Sequence, residues 1–432
     1  MLNNKRYVRM LTGLTALLLG LCGCAVPPET ISAPSGVQAP VAPANVPEKP
    51  DAAADAGGAP VTLNLADFGA AGNGQADDTA ALRNAVSAVL EAGGGTVYLP
   101  AGTYRLTDTL MLTGDDSALL TLRADPTGQT VLVADASVNG PAVWIERSGV
   151  TLFGLDIILG TTEDQPAVLV TGSHVTLDSV TARMTAGNTQ PGFLVYGSYD
   201  TLRNCGVGYV SDTQYMVVFS KMPGLDAVGN VLEDCHFGGM AGKCVLVTSE
   251  DDNGVPEQLT IRRNVFLVVG CDQVEVRAAR NLYIIDNMLD AAGDPLPAGV
   301  RGVQITDNYC GASTGGARTG GVRTESAYGG TLENVIVSAN YFWCPNAVRV
   351  VLPEDTGFSL TDNYFVLTGG DAVYMAAAVG AYMEGNVVAN IGGQCPLRLE
   401  AVDEMTVIQG NAWGNGIEVP EWRTRFAAQN SM

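Results

Sequence analysis

Seven charged side chains sit on short alternating runs in the second half of the chain, and they are the residues best equipped for chemistry. The runs are Val274-Glu275-Val276-Arg277, Val322-Arg323-Thr324-Glu325, Val348-Arg349-Val350-Val351, Val373-Tyr374-Met375-Ala376 and Leu397-Arg398-Leu399-Glu400. Successive side chains of a strand point to opposite faces, so stacking these runs puts Glu275, Arg277, Arg323, Glu325, Arg349, Tyr374, Arg398 and Glu400 on one outer face. Guanidinium forks bind carboxylates through two parallel bonds. A tyrosine ring offers a flat face to a sugar. Such a face suits a uronate-bearing polysaccharide. Glu275 and Glu325 are the candidate general acid and base, with Arg277 and Arg323 beside them. Arg349, Arg398, Tyr374 and Tyr196 are the candidate substrate holders. Carboxylates one or two coils apart, at about 4.8 Å per coil, fall in the range glycosidases use. An arginine beside an activated sugar could instead assist β-elimination. The same charges could also serve only as cross-strand ion pairs that keep a sheet face soluble.

Stacking is what a long repeat predicts. An apolar residue is followed three positions later by asparagine at Ile261/Asn264, Ile284/Asn287, Ile305/Asn308, Val337/Asn340, Leu360/Asn363, Met383/Asn386 and Ile408/Asn411. The asparagines are 23, 21, 32, 23, 23 and 25 residues apart. The register continues backward through Leu152/Leu155, Leu177/Val180, Leu202/Cys205 and Leu232/Cys235. Repeats of this length, made of short apolar-polar runs with Gly and Asn between them, indicate a solenoid rather than a sandwich. The expectation is an all-β parallel β-helix of about eleven coils between residues 140 and 411. Asparagine tolerates the left-handed region and suits the turn, and stacked amides satisfy one another along the axis. The strand aligned with the charged runs reads Val168-Leu169-Val170-Thr171, Phe193-Leu194-Val195-Tyr196 and Val245-Leu246-Val247-Thr248 in earlier coils. The outer face therefore starts apolar or aromatic and becomes charged. Tyr196, Tyr199, Tyr209 and Tyr215 lie near the change.

A capping element precedes the coils. Leu65-Ala66-Asp67-Phe68-Gly69-Ala70-Ala71-Gly72-Asn73-Gly74 leads to Asp77-Asp78-Thr79-Ala80-Ala81-Leu82, then to Gly93–Gly95 and Thr96-Val97-Tyr98-Leu99-Pro100-Ala101-Gly102-Thr103-Tyr104. Leu82, Val86, Val89 and Leu90 are spaced for one helix face, with Asp78 or Thr79 as the cap. This segment resembles the pectate-lyase superfamily domain (rhamnogalacturonase- and epimerase-like) at the head of right-handed parallel β-helix proteins. Asn73 stands where that family more often has Asp. The resemblance implies an N-terminal capping α-helix, a right-handed coil and a polysaccharide groove on a sheet face. Polygalacturonase-like members carry Asn-Thr-Asp, Asp-Asp and Gly-His-Gly motifs. Here His174 and His236 lie in no Gly-His-Gly, and Asp251-Asp252 is an acidic pair without those companions, read as a solvated turn. Asp67, Asp77 and Asp78 are read as structural.

The chain has 432 residues and a formal charge of −22, which argues against nucleic acid and anionic lipid as principal partners. Lys5, Arg6 and Arg9 precede the apolar run Leu11 to Leu21, as in a signal peptide spanning 1–23. Leu21-Cys22-Gly23-Cys24 resembles a bacterial lipobox, with Cys24 the lipidated residue. Residues 24–60 are rich in Pro and Ala and read as an extended tether. Residues 61–415 form the β-helix domain, with 61–115 as its cap and first strands, and 416–432 a C-terminal cap or tail. The expected location is the bacterial cell envelope, reached by export, with the membrane touched only through the lipid. Cys205, Cys235, Cys244, Cys271, Cys310, Cys344 and Cys395 contain no Cys-x-x-Cys pair, and Cys205 and Cys235, at one ladder position on successive coils, are expected as stacked buried thiols, with a disulfide between them the alternative. No metal site or cofactor is implied, although abundant acids leave calcium open. A lyase or glycoside hydrolase on an acidic glycan is the first reading. A non-catalytic glycan-binding scaffold is the second, and a trimeric tailspike-like assembly the third, so both monomer and trimer stay open.

Overall fold

The computed structural model describes residues 60–412, apart from 161–163, 186, 209–214, 240–242, 252–253, 269–273, 277, 291–294, 298–303, 307–308, 312–321, 326–335, 344–347, 351–357, 368–371, 379–380, 391–396 and 403–404. It is an all-β parallel solenoid. The longest sheet has fourteen strands, from Val61–Asn64 to Val407–Gln409, each paired in parallel with the one a coil away. A second face carries six strands, from Asn73–Asp77 to Gly206–Gly208, followed along the chain by seven from His236–Gly239 to Val387–Asn390. A third carries seven strands, Leu110–Leu112 to Val274–Val276, followed by five, Pro295–Pro297 to Leu397–Val402. The long sheet exceeds the eleven coils expected because it begins at Val61, before the first apolar anchor the repeat reveals.

Alternation builds the core. On the long sheet Leu122, Leu152, Leu177, Leu202, Leu232, Ile261 and Ile284 follow one another in register and are buried. Aromatic rings stack along the axis on the second face, Phe237 on Phe266 at 5.6 Å and Phe342 on Phe365 at 4.9 Å between centroids. The asparagine ladder forms as expected. Asn340, Asn363 and Asn386 each donate an amide N–H to the Oδ1 of the next, at 3.0, 3.0 and 2.7 Å, ending on Asn411. Asn264 bonds Asn287 in the same way, and Cys235 N–H donates to Asn264 Oδ1 at 2.9 Å. Cys205 N–H in turn donates to the Cys235 sulfur at 3.3 Å, both thiols being free and buried. Burial and the Cys205 neighbour push the Cys235 thiol well above its ordinary pKa.

One expectation needs correcting. The left-handed residue of the turn is not the ladder asparagine but the residue before it: Arg263, Asp286, Ala339, Asp362, Gly385 and Gly410 have φ between 55° and 69°. The asparagine is thereby freed to turn its amide inward.

At the head, the helix Thr79–Glu91 buries Ala81, Leu82, Ala85, Val86 and Val89 in the same core cluster as Leu65 and Val97. Asp78 occupies its N-cap position but makes no side-chain cap bond. Its carboxylate turns back instead and accepts from Ala71 N at 2.7 Å and Gly72 N at 3.2 Å, pinning the preceding turn. Asp77 accepts from both Thr79 N–H and its hydroxyl, and from the Thr107 hydroxyl. Gly95 (φ 146°) is required because a Cβ there would stand 2.1 Å from the Val61 carbonyl oxygen.

Two coils further, Asp125 accepts from Thr127 Oγ1 (2.6 Å), Tyr98 Oη (2.7 Å) and Thr127 N (2.7 Å), which hold its carboxyl down to about 2. The folded pKa lies below the unfolded value of about 3.9. The contribution is therefore complete above the unfolded pKa and is lost as pH falls through about 2. Melting temperature measured from pH 5 down to 2 should fall more steeply for the wild type than for Asp125→Asn. Parallel curves would mean these bonds carry no net stability.

Candidate functional site

The third face carries the charged runs. In its seven-stranded part the outward row is Met111, Trp144, Leu169, Leu194, Val218 and Leu246, one residue per coil, and Glu275 holds the next register position. Trp144 is fixed by its indole N–H, which donates to Thr171 Oγ1 at 3.0 Å. In the five-stranded part, register aligns Pro295, Arg323, Arg349, Tyr374 and Arg398. Glu325 pairs with Pro297, two residues along its strand from Arg323. The structure thus brings Arg323, Arg349, Tyr374 and Arg398 into one row, and sets Glu275 at the end of the apolar row in the neighbouring sheet. The side chains of Glu275, Arg323, Glu325 and Arg349 lie outside the described residues, as do Arg277, Glu400's side chain and Cys24. Tyr374 is half-buried and Arg398 exposed, with the guanidinium carbon 5.4 Å above the ring centroid. That cation–π contact holds the fork on the face.

Arginine is used differently on the long sheet. There Asp178, Arg203, Glu233 and Arg262 alternate in sign along one register row, with ion pairs of 2.8 Å for Arg203–Asp178 and 2.7 Å for Arg262–Glu233. Arg263 adds a second contact to Glu233 and one to Asp234. Cross-strand pairing of opposite charges is the ordinary way to keep such a face soluble. On the third face, Arg323 and Arg349 are register partners on adjacent strands.

Tyr196 stands apart from this row. It is 9% exposed, and its phenol donates to Glu250 Oε1 at 2.6 Å. Burial first, and then the Glu250 carboxylate, raise its pKa, so the phenol stays protonated. Next to it Lys221 Nζ donates to the Leu225 carbonyl at 2.6 Å and lies 3.4 Å from Asp251 Oδ2, both side chains being about 15% exposed. Ser249 Oγ bonds the Gly254 carbonyl at 2.6 Å, closing the turn. Asp251 is therefore covered and ion-paired rather than a solvated turn residue, while Asp252 lies outside the described residues. Sequence reasoning missed Lys221 and Glu250 because Lys221 closes a strand and Glu250 follows one, where alternation stops. The longer spacings around residues 222–230 and 250–258 were the available signal.

His174 and Tyr199 sit on successive left-handed turns and stack at 5.1 Å. His236 opens a strand. Among the described residues no three His, Cys, Asp or Glu side chains converge on a point a metal could occupy.

Comparisons with known proteins follow this geometry. Mannuronan C5-epimerase AlgE1 of Azotobacter vinelandii is 46% identical over 77 residues, which is 17% of this chain and only 5% of that protein. The surface adhesin PfbA of Streptococcus pneumoniae superposes with a TM-score of 0.51 at 14% identity, over 80% of this chain and 92% of that one. An exopolygalacturonase from Thermotoga maritima gives 0.52 at 12% identity, over 82% and 92%. At such identities the two structures establish the shared fold alone. The pectate-lyase-like resemblance carried by Leu65 to Tyr104 extends further along the sequence: residues 62–274 match the family described as rhamnogalacturonase A/epimerase, pectate lyase-like.

Proposed function

We propose that this protein is exported and acts on a polyuronate, which it holds along the outer side of the third face. The observation that carries the proposal is the row Arg323, Arg349, Tyr374 and Arg398, which share one register position on four successive strands. A chain of carboxylated sugars carries negative charges at a comparable repeat, and a guanidinium fork accepts a carboxylate through two parallel bonds. Tyr374 gives a sugar ring a surface between the forks. The family match and the sequence similarity to a mannuronan epimerase, named for a polyuronate, support this substrate class. In this reading Glu275 and Glu325 supply acid and base, with Arg277 and Arg323 stabilising charge on the sugar carboxylate. Cys24 carries the lipid and residues 25–60 hold the domain away from the envelope.

The test incubates the protein with polymannuronate, polygalacturonate and a neutral glucan, with and without calcium. Ultraviolet absorbance follows unsaturated uronate, a reducing-end assay follows hydrolysis, and proton NMR follows inversion at C5. Turnover of a polyuronate but not of the glucan is the expected result. Binding of neither polyuronate ends the proposal.

A second reading is a non-catalytic surface glycan binder. It is favoured by a 32% identical stretch of 103 residues, 24% of this chain, shared with the plasmin- and fibronectin-binding protein A of Streptococcus pneumoniae, a relative named for binding rather than for catalysis. Polyuronate binding with no change in any of the three readouts selects it.

A further inference from the structure

The hydroxyl of Ser220 is fully buried and has no hydrogen-bond partner among the described residues. It lies on the outer side of the third face, because its neighbour Phe219 points into the core and Ser220 pairs in register with half-exposed Thr248. What covers it is visible in the hydrogen bonds. Val195 pairs with Phe219, so Tyr196 comes opposite Ser220 one coil earlier. Tyr196 nevertheless reaches Glu250, which follows Thr248 on the coil beyond Ser220. The phenol must therefore cross the Ser220 strand to make its 2.6 Å bond. An unpaired buried hydroxyl is costly, so the closed arrangement keeps a polar group waiting.

We propose that Tyr196 and Glu250 form a latch over a sugar-hydroxyl subsite floored by Ser220. When the latch opens, the Tyr196 ring swings clear and the Ser220 hydroxyl and the Glu250 carboxylate become available together. A carboxylate that only accepts, beside a hydroxyl that donates and accepts, matches a vicinal diol of a pyranose. The Lys221–Asp251 pair and the Ser249–Gly254 bond fix the neighbouring turn, so Glu250 swings from a rigid base. This rests on the reading that the protein takes glycans, but not on the sugar being acidic. The arginine row reads carboxylates, whereas this subsite reads hydroxyls, one sheet earlier along the same face.

The test titrates the full chain, and its Tyr196→Phe, Ser220→Ala and Arg398→Ala variants, with tetragalacturonate, tetramannuronate and neutral cellotetraose by calorimetry. A closed latch reduces affinity by the fraction of molecules that are open. Tyr196→Phe removes the bond to Glu250 and should tighten all three by about three- to tenfold. Ser220→Ala should weaken all three by about tenfold, the loss of roughly one hydrogen bond. Arg398→Ala should weaken the two uronates alone. If Ser220→Ala and Tyr196→Phe change only the melting temperature, Ser220 is a buried structural hydroxyl and the subsite is refuted, whatever Arg398→Ala does. If Ser220 governs cellotetraose binding while neither uronate binds better than the neutral sugar, the subsite stands and the polyuronate reading falls. No binding of any of the three, even by Tyr196→Phe, refutes both.

Discussion

Asn363→Leu should destabilise the solenoid by about 3–5 kcal/mol, the largest stability effect expected of a single substitution here. Asn363 is 1% exposed, in the middle of the ladder. Its Oδ1 accepts from Asn340 N and Asn340 Nδ2, both at 3.0 Å. Its own amide donates to Asn386 Oδ1 at 3.0 Å and to the Val337 carbonyl at 2.9 Å. Leucine has nearly the same volume, so packing is roughly kept while these partners lose their bonds in a dry core. Each orphaned buried group costs about 1–3 kcal/mol. The penalty also spreads, since amides in a chain polarise one another. Asn411→Leu, at the last described rung, removes the same pair of bonds, from Asn386 N and Nδ2, and should cost a comparable amount. Urea unfolding followed by far-ultraviolet circular dichroism measures both. Equal and small shifts would mean that the ladder is replaceable by apolar packing.

The ladder also marks how far the sequence could be read. Its register was visible because a buried amide must recur once per coil, and the apolar anchor three residues earlier recurs with it. The same logic identified Cys205 and Cys235 as ladder members, and the structure bonds them into it. The row Arg323, Arg349, Tyr374 and Arg398 was legible for the same reason, since alternation within aligned strands fixes which side chains share a face. The limits appear where the repeat says nothing. Three coils before Leu152 lack a recognisable anchor, so the long sheet was undercounted. The left-handed residue of each turn carries no ladder bond and varies among Arg, Asp, Ala and Gly, so the turn was assigned one position late. The Asp78 carboxylate has two chemically equivalent uses, capping the helix or binding the Ala71–Gly72 amides, and only the path of the preceding loop decides between them. Tyr196 was placed on the outer surface by alternation alone. Its contact with Glu250 spans two coils, which no local pattern encodes.

The double variant Arg349→Ala with Arg398→Ala should lose about 100-fold in affinity for polygalacturonate, taking about 1.5 kcal/mol for each charge-assisted bond. Arg398 is held by the Tyr374 ring, so its fork loses little freedom on meeting a carboxylate. Arg349 is the register partner of Arg323, one strand away. A merely structural role would lower stability together with affinity, so the signature of a binding role is a variant that keeps the wild-type melting temperature while binding far less. Arg349→Lys should fall between the two, because the charge is kept and the planar fork is lost. Salt should weaken the wild type more than the double variant, since fewer exposed charges then remain to be screened. Arg203→Ala supplies the control. Arg203 is satisfied by Asp178 within an alternating row, so its loss should leave polygalacturonate binding within about twofold and cost only the small stability of a surface pair. If Arg203→Ala weakens binding as much as the double variant, the protein attracts polyuronate through diffuse charge. On a chain of net charge −22 that would be a surprising mechanism, and the arginine row would then have no special part in it. If only the double variant fails, the arginine row is the part of this face that meets the substrate.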